Sequence, residues 1–255
     1  MPHLHLASAL ILLGLGFIAA FIDSTVGGGG LISLPALLFV GLPPALALGT
    51  NKLGGTISAL TSTFSYLHSR KITWRVVRYL IPLAFIGSVL GADLVRHLPT
   101  AFLRPLVVIM LIVVTLYTVF RRDLGKYMTY TGMSQRMRLF AVIVAVIIGF
   151  YDGFFGPGTG SFLIISFLLL GFDFVQASAN GKVLNLASNV AALLTFAALH
   201  TIDYTYGLCL GAGMMVGAFV GSQLAIRKGV GYIRPIFIGV TVVMIGNQMW
   251  KLWLH

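Results

Sequence analysis

The chain contains 255 residues, of which 58% are hydrophobic and 9% are charged, and its mean hydropathy is +0.98. Soluble domains carry about 25% charged residues, so this composition excludes an ordinary soluble domain and indicates a polytopic membrane protein. Lys and Arg outnumber Asp and Glu by 17 to 6, an excess that can indicate nucleic-acid binding. Here the basic residues occupy short breaks between apolar runs, as in cytoplasmic loops, so we predict no nucleic-acid partner.

The predicted elements are apolar segments, and a helix needs about 20 such residues to cross a bilayer. Most segments meet that length, but 161–172 is short and 31–48 is interrupted by Pro35, Pro43 and Pro44. These two are predicted to be half-helices or re-entrant turns, so we expect an all-α fold with about six to ten crossings. In chain order the segments are 6–23, 31–48, 52–68, 76–95, 102–120, 139–155, 161–172, 182–199, 204–226 and 233–253.

Rare residue types recur in the same order in the two halves of the chain. At an offset of 129 residues Asp23 matches Asp152, and after one inserted residue Lys52 matches Lys182. Such recurrence predicts an internal duplication.

A basic linker at 121–138 divides the chain into two predicted repeats, residues 1–120 and residues 139–255. The Lys and Arg residues of the linker predict a cytoplasmic location. Each repeat holds an odd number of crossings, whether or not the half-helices are counted. The repeats are therefore predicted to be inverted, as in many secondary transporters.

A glycine-rich motif interrupts the apolar pattern at the same place in each repeat. Each glycine in a helix interior costs about 1 kcal/mol relative to Ala, so the helices should break there. Irregular backbone is tolerated at membrane depth only where protein or a water-filled cavity covers it, and a glycine turn before a helix start presents N–H groups to an anion. The motifs predict an anion-binding site with the substrate-binding residues Gly27, Gly28, Gly29, Gly30, Gly156, Gly158 and Gly160.

Polar residues follow each motif. Lys in a bilayer core costs about 2.5–3.5 kcal/mol on insertion scales, yet one occurs at the start of a matching apolar segment in each repeat. The alternatives to a binding site are lysines that snorkel to the interface, aspartates that cap helices or pair with the lysines, and asparagines that join helices. The predicted substrate-binding residues are Asn51, Lys52, Asn180, Lys182 and Asn185, with Asn51 matched to Asn180, and the predicted proton carriers are Asp23 and Asp152.

Other classes of site are disfavoured by the sequence. The single cysteine, Cys209, and histidines that lie at chain ends or segment ends predict neither a metal site nor a cofactor. No pair of a nucleophile and a base is visible, so we expect a protein that is not an enzyme. Small-residue stripes at 87–91 and 213–221 predict close helix contacts, which fit either the two halves of one chain or a homodimer.

The motifs that carry a family resemblance lie at 27–35, 49–52, 156–160 and 180–185. They resemble the TauE/SafE family of sulfite exporters, also called the toluene sulfonate uptake permease family. The resemblance covers both repeats, but Pro157 and Thr159 interrupt the second glycine run, so the two half-sites need not contribute equally.

This resemblance implies a secondary carrier in the bacterial inner membrane. It implies small sulfur-containing anions such as sulfite, sulfonates or sulfoacetate as substrates, and a proton gradient as the driving force. The implied partners are the small anion and membrane lipid. A cation–proton antiporter, in which paired aspartates and asparagines at broken helices bind the ion, remains an alternative. A passive anion channel is a second alternative, because the sequence does not distinguish anion flux with a coupled proton from anion flux without one.

Overall fold

All regular secondary structure in the described part of the chain is helical. The computed structural model describes residues 5–99, 102, 109 and 129–228, and no strand occurs among them. The predicted all-α fold of a polytopic membrane protein is therefore confirmed. The described helices are α1 Leu6–Val26, α2 Gly30–Phe39, α3 Pro44–His68, α4 Trp74–Arg96, α5 Gln135–Phe154, α6 Thr159–Leu169, α7 Phe174–Ala198 and α8 Tyr204–Lys228. The predicted segment 233–253, all but two residues of 102–120, and residues 121–128 of the linker lie outside the described residues.

Five of the described helices, α1, α4, α5, α7 and α8, are long and apolar enough to cross a membrane. Large apolar side chains such as Leu10, Ile86 and Phe219 are exposed on them, which fits contact with lipid. Helices α2 and α6 have 10 and 11 residues, too few to span about 30 Å at 1.5 Å per residue. Both segments predicted to be half-helices are thus short helices.

Helices α3 and α7 begin earlier than the apolar pattern predicted. The predicted segments start at Lys52 and Lys182, whereas the helices start at Pro44 and Phe174. Proline suits the first turn of a helix because no intrahelical hydrogen bond is lost there. The Asp173 carboxylate caps α7 by accepting a backbone N–H at 2.9 Å. Both lysines therefore lie inside helices and not at helix starts.

The duplication is visible in the helix boundaries. Each helix of the second half starts 129 or 130 residues after its counterpart, so α5 matches α1, α6 matches α2, α7 matches α3 and α8 matches α4. Arg70 and His200, which follow α3 and α7, both have a φ of 54°, a left-handed conformation uncommon outside glycine. The two halves therefore share the same local fold.

The two halves exchange their last described helices, because α8 packs against α1 and α4 packs against α5. A Cβ atom on Gly217 would lie 2.1 Å from the Phe17 carbonyl oxygen, and one on Gly91 would lie 1.9 Å from the Phe150 carbonyl oxygen. The small-residue stripes thus join the two halves of one chain, while the homodimer stays a prediction. The buried apolar residues follow the same division, with one cluster mainly on α1, α2, α3 and α8 and another on α4 to α7.

Counterpart helices α3 and α7 run in opposite directions. The Thr63 hydroxyl, near the end of α3, donates to the Lys182 carbonyl oxygen, near the start of α7, at 3.2 Å. Nearer the start of α3, Gly55 faces Asn189 of α7. Inverted repeats require this relation between counterparts. The observation supports the inverted arrangement, which stays a prediction for the chain in a bilayer.

Candidate functional site

The two glycine-rich motifs contact each other. Gly27 and Gly156 have φ angles of 79° and 96°, in the left-handed region that favours glycine. A Cβ atom on Gly27 would lie 2.1 Å from the Ser161 nitrogen, so the two backbones touch. We call residues 27–30 and 156–160 the paired breaks.

Several backbone N–H groups at and beside the paired breaks have no acceptor among the described residues. Helices α2 and α6 begin here, and the first N–H groups of a helix have no partner within it. Helix dipoles place a partial positive charge at the same ends. Five N–H groups in this region donate to no acceptor among the described residues, those of Gly28, Gly30, Gly158, Gly160 and Ser161. The paired breaks therefore favour an anion over a cation.

Two ion pairs with buried lysines connect the repeats. Lys52 Nζ lies 2.8 Å from Asp152 Oδ1, and Lys182 Nζ lies 2.5 Å from Asp23 Oδ2. The lysine side chains are 2% and 1% exposed, so the alternative that they snorkel to the interface is wrong. Each pair joins the lysine of one repeat to the aspartate of the other, which repeats the exchange seen in the helix packing.

The two aspartates differ in their surroundings. Asp152 is 2% exposed and Asp23 is 14% exposed. Three side chains of α7 donate to Asp152 Oδ2. They are Asn185 at 3.4 Å, Asn189 at 3.2 Å and Ser188. Asp23 Oδ1 instead accepts the Gly29 backbone N–H at 3.3 Å. Asp152 is therefore the more firmly held carboxylate, because its second oxygen has three donors where that of Asp23 has one.

A small cavity lies between the paired breaks and the ion pairs. Its volume is about 30 Å³, room for about two water molecules. Both repeats contribute to its lining, which comprises Asp23, Gly30, Ser33, Asn51, Lys52, Gly55, Asp152, Gly156, Gly158, Thr159, Gly160, Asn185, Asn189 and Met214. The lining thus holds both aspartates and one of the two buried lysines.

The structure brings most predicted site residues to this cavity. Those in the lining are Asp23, Gly30, Asn51, Lys52, Asp152, Gly156, Gly158, Gly160 and Asn185. The predicted residues outside the lining are Gly27, Gly28, Gly29, Asn180 and Lys182. Lys182 is connected to the cavity through its ion pair with Asp23.

Asn180 is the structural counterpart of Thr50, which corrects its predicted match to Asn51. Because α7 starts 130 residues after α3, position 180 corresponds to position 50. The two side chains make the same contact: Thr50 Oγ1 accepts the Asp203 N–H at 2.9 Å, and Asn180 Oδ1 accepts the Thr73 N–H at 2.8 Å. Thr73 and Asp203 each lie directly before the start of a helix, α4 and α8. Asn180 therefore makes a structural contact and does not line the cavity.

Four polar residues at the site, including Thr159 in the cavity lining, were not among the predicted substrate-binding residues. Ser33 Oγ donates to Asn51 Oδ1 at 2.6 Å, and Ser188 and Asn189 donate to Asp152. Ser188 and Asn189 follow Asn185 at i+3 and i+4, a spacing that places all three on one helix face. That spacing was the available sequence signal for a polar cluster on α7.

The family predicted from the motifs agrees with a match that spans almost the whole chain. The family described as sulfite exporter TauE/SafE matches residues 12–247. The chain belongs to this family. The TauE/SafE match includes both paired breaks and all four residues of the ion pairs, so the candidate site lies within the matched residues.

Bacterial relatives resemble this TauE/SafE protein over nearly their full length. A "Probable membrane transporter protein" of Haemophilus influenzae is 37% identical over 249 residues, which cover 96% of this chain and 96% of the relative. The "Probable membrane transporter protein YfcA" of Escherichia coli K12 is 37% identical over 237 residues, 92% of this chain and 87% of the relative. YjnA of Bacillus subtilis, with the same description, is 25% identical over 266 residues, 94% and 97% of the two chains.

No solved structure matches this TauE/SafE protein. The family, the relatives and the five helices of membrane length together make it a multi-pass membrane protein.

Proposed function

We propose that this membrane transporter of the TauE/SafE family is a proton-coupled secondary carrier of small sulfur-containing anions in the bacterial inner membrane. The proposed substrates are of the sulfite, sulfonate and sulfoacetate type. The observation that carries the proposal is the buried ammonium of Lys52, which lines a cavity bordered by unpaired backbone N–H groups. The family description as sulfite exporters supports sulfur oxyanions as the substrate class.

The proposed binding residues supply positive charge and hydrogen-bond donors. Lys52 provides the charge, and Gly30, Gly158 and Gly160, whose N–H groups have no acceptor among the described residues, line the cavity. A sulfo group has three oxygens, so it can accept bonds from both breaks at once. Asn185 adds a side-chain amide from α7.

The proposed coupling rests on the two carboxylates that line the cavity. Asp152 is buried and Asp23 is partly buried within helices long enough to span the membrane, where ionisable residues mark ion and proton pathways. A proton taken up by either carboxylate would free its lysine for a bound anion. Lys52, which lines the cavity, would contact the substrate directly. Lys182 does not line the cavity and would affect the substrate only through its ion pair with Asp23.

Loading of substrate requires the helices around the cavity to separate, because about 30 Å³ is too small for a sulfonate. The two apolar clusters suggest how this happens: the body of α1, α2, α3 and α8 would move against the body of α4 to α7. The paired breaks and the ion pairs lie between these bodies. Such motion around a fixed central site is alternating access.

Proton flux into proteoliposomes tests the proposal. We expect acidification of a trapped pH-sensitive dye when sulfoacetate, which stays charged and does not leak through lipid, is added outside. Passage of labelled sulfoacetate without a pH change would instead indicate a passive anion channel. Proton movement that responds to cations and not to sulfoacetate would indicate the cation–proton antiporter.

Lys52→Met is expected to weaken sulfoacetate binding by about 10- to 100-fold, because a hydrogen bond to a charged group contributes about 1.5–3 kcal/mol. Affinity of the purified protein is measured by titration calorimetry. Lys71→Met is the matched control, since Lys71 is exposed in the break before α4. Equal affinity in Lys52→Met and wild type would remove Lys52 from the binding site.

A further inference from the structure

We infer that the Asp152 carboxylate occupies the donors that bind the substrate's sulfo group, and that the substrate replaces it there only when Asp152 receives a proton. This inference rests on the proposed function, and it assigns to Asp152 the place of an internal substitute for the anion.

The donors around Asp152 are those that an anion in the cavity needs. Lys52 of α3 binds Oδ1 at 2.8 Å, and Asn185 and Asn189 of α7 donate to Oδ2 at 3.4 and 3.2 Å. These three side chains also line the cavity. The Asn189 amide donates in addition to the Asn185 carbonyl oxygen at 2.8 Å, so both of its hydrogens are used. An incoming sulfo group therefore competes with the carboxylate for the same groups.

Charge balance makes this competition depend on a proton. The two ion pairs contribute two ammonium groups and two carboxylates, so their formal charges cancel. A bound monoanion would add an uncompensated negative charge in a buried site, which is costly. Transfer of one proton to Asp152 restores the balance: Lys52 keeps its charge and pairs with the sulfo group. One proton then binds with each monoanion.

Asp23 does not have the same relation to the cavity. Its lysine, Lys182, is absent from the cavity lining, and its second oxygen binds the backbone of Gly29 at 3.3 Å. If Asp23 lost its hydrogen bonds, fewer donors would become free for a ligand in the cavity than if Asp152 lost its own.

Other titratable groups near the aspartates are engaged with backbone. The Tyr151 hydroxyl, one position before Asp152, donates to the Pro157 carbonyl oxygen at 2.5 Å. The Tyr66 hydroxyl of α3, on the Asp23 side, donates to the Ser24 carbonyl oxygen at 2.8 Å. Helix α4, packed against α5, faces it through glycine and serine. Its charged residues lie toward its ends and are exposed or partly exposed, namely Arg75, Arg78, Asp93 and Arg96. Asp152 is therefore the acceptor that the geometry favours.

Binding of ethanesulfonate at several pH values tests the inference. In wild type we expect affinity to fall as the pH rises, with a slope that approaches tenfold per pH unit, the slope for one linked proton. In Asp152→Asn we expect that slope to vanish, since an amide takes up no proton. Asp23→Asn is the matched comparison and is expected to keep the slope, whatever its affinity.

Proton uptake by wild type gives a readout that needs no variant. We expect about one proton per bound ethanesulfonate in weakly buffered solution near neutral pH. A wild type that binds ethanesulfonate with no slope and no proton uptake, or an Asp152→Asn protein that keeps the slope, would overturn this inference and leave the anion carrier standing. A wild type that binds no ethanesulfonate at any pH would overturn both the inference and the proposed function.

Discussion

Lys182→Met is expected to lower the free energy of unfolding by about 3–5 kcal/mol, the usual cost of removing one partner of a buried ion pair. Lys182 is 1% exposed and its ammonium lies 2.5 Å from Asp23 Oδ2, so the variant leaves a carboxylate without its cation. The measurement is unfolding of the purified protein in mixed micelles by titration with SDS. Lys71→Met, at an exposed lysine, is expected to change the free energy of unfolding little.

The double variant Lys182→Met with Asp23→Asn separates the charge effect from lost packing. We expect it to recover most of the loss, because replacing a whole buried pair with neutral groups is often close to neutral. A double variant as unstable as the sum of its two single variants would show that the exchanged pair is not coupled in the folded protein.

Gly91→Ala is expected to destabilise the protein by about 1–3 kcal/mol or more through overpacking. The added Cβ atom would lie 1.9 Å from the Phe150 carbonyl oxygen and 2.8 Å from the Phe154 nitrogen. Both are backbone atoms of α5, so α4 and α5 must move apart to admit the methyl group. The measurement is thermal unfolding of the purified protein in detergent.

Gly14→Ala is the control for this substitution. Gly14 is exposed on α1 and has no neighbouring atom within 4 Å of an added Cβ, so the same change should stabilise by about 1 kcal/mol through helix propensity. Opposite shifts in the two variants would confirm the close contact of α4 with α5. A Gly91→Ala protein as stable as wild type would contradict it.

Local signals in the sequence were sufficient to predict several features of the fold. Segment length and proline positions predicted the short helices α2 and α6, because both depend on neighbouring residues alone. The recurrence of Asp23 and Lys52 at Asp152 and Lys182 predicted the duplication that the helix starts now show. Hydropathy placed the starts of α3 and α7 too late, since proline and an N-cap begin those helices before the apolar run.

Contacts between the two halves could not be predicted from sequence patterns. Lys52 and Asp152 are 100 residues apart, and nothing in the order of residues tells which lysine meets which aspartate. The match of Asn180 to Asn51 failed for a related reason, because the inserted residue lies at or before the start of α7 and shifts its register by one position. The polar face of α7 was visible as spacing, but its common target, Asp152, was not.

The exchange of last helices also has a consequence for synthesis. Helix α1 leaves the ribosome before α8, and the glycines of α8 pack against the backbone of α1. Until α8 is inserted, α1 has lipid or another protein in place of its final neighbour. Neither ion pair can form before the second half is present, because each pair contains one residue of that half. The central site can therefore assemble only after the helices of the second half have been inserted.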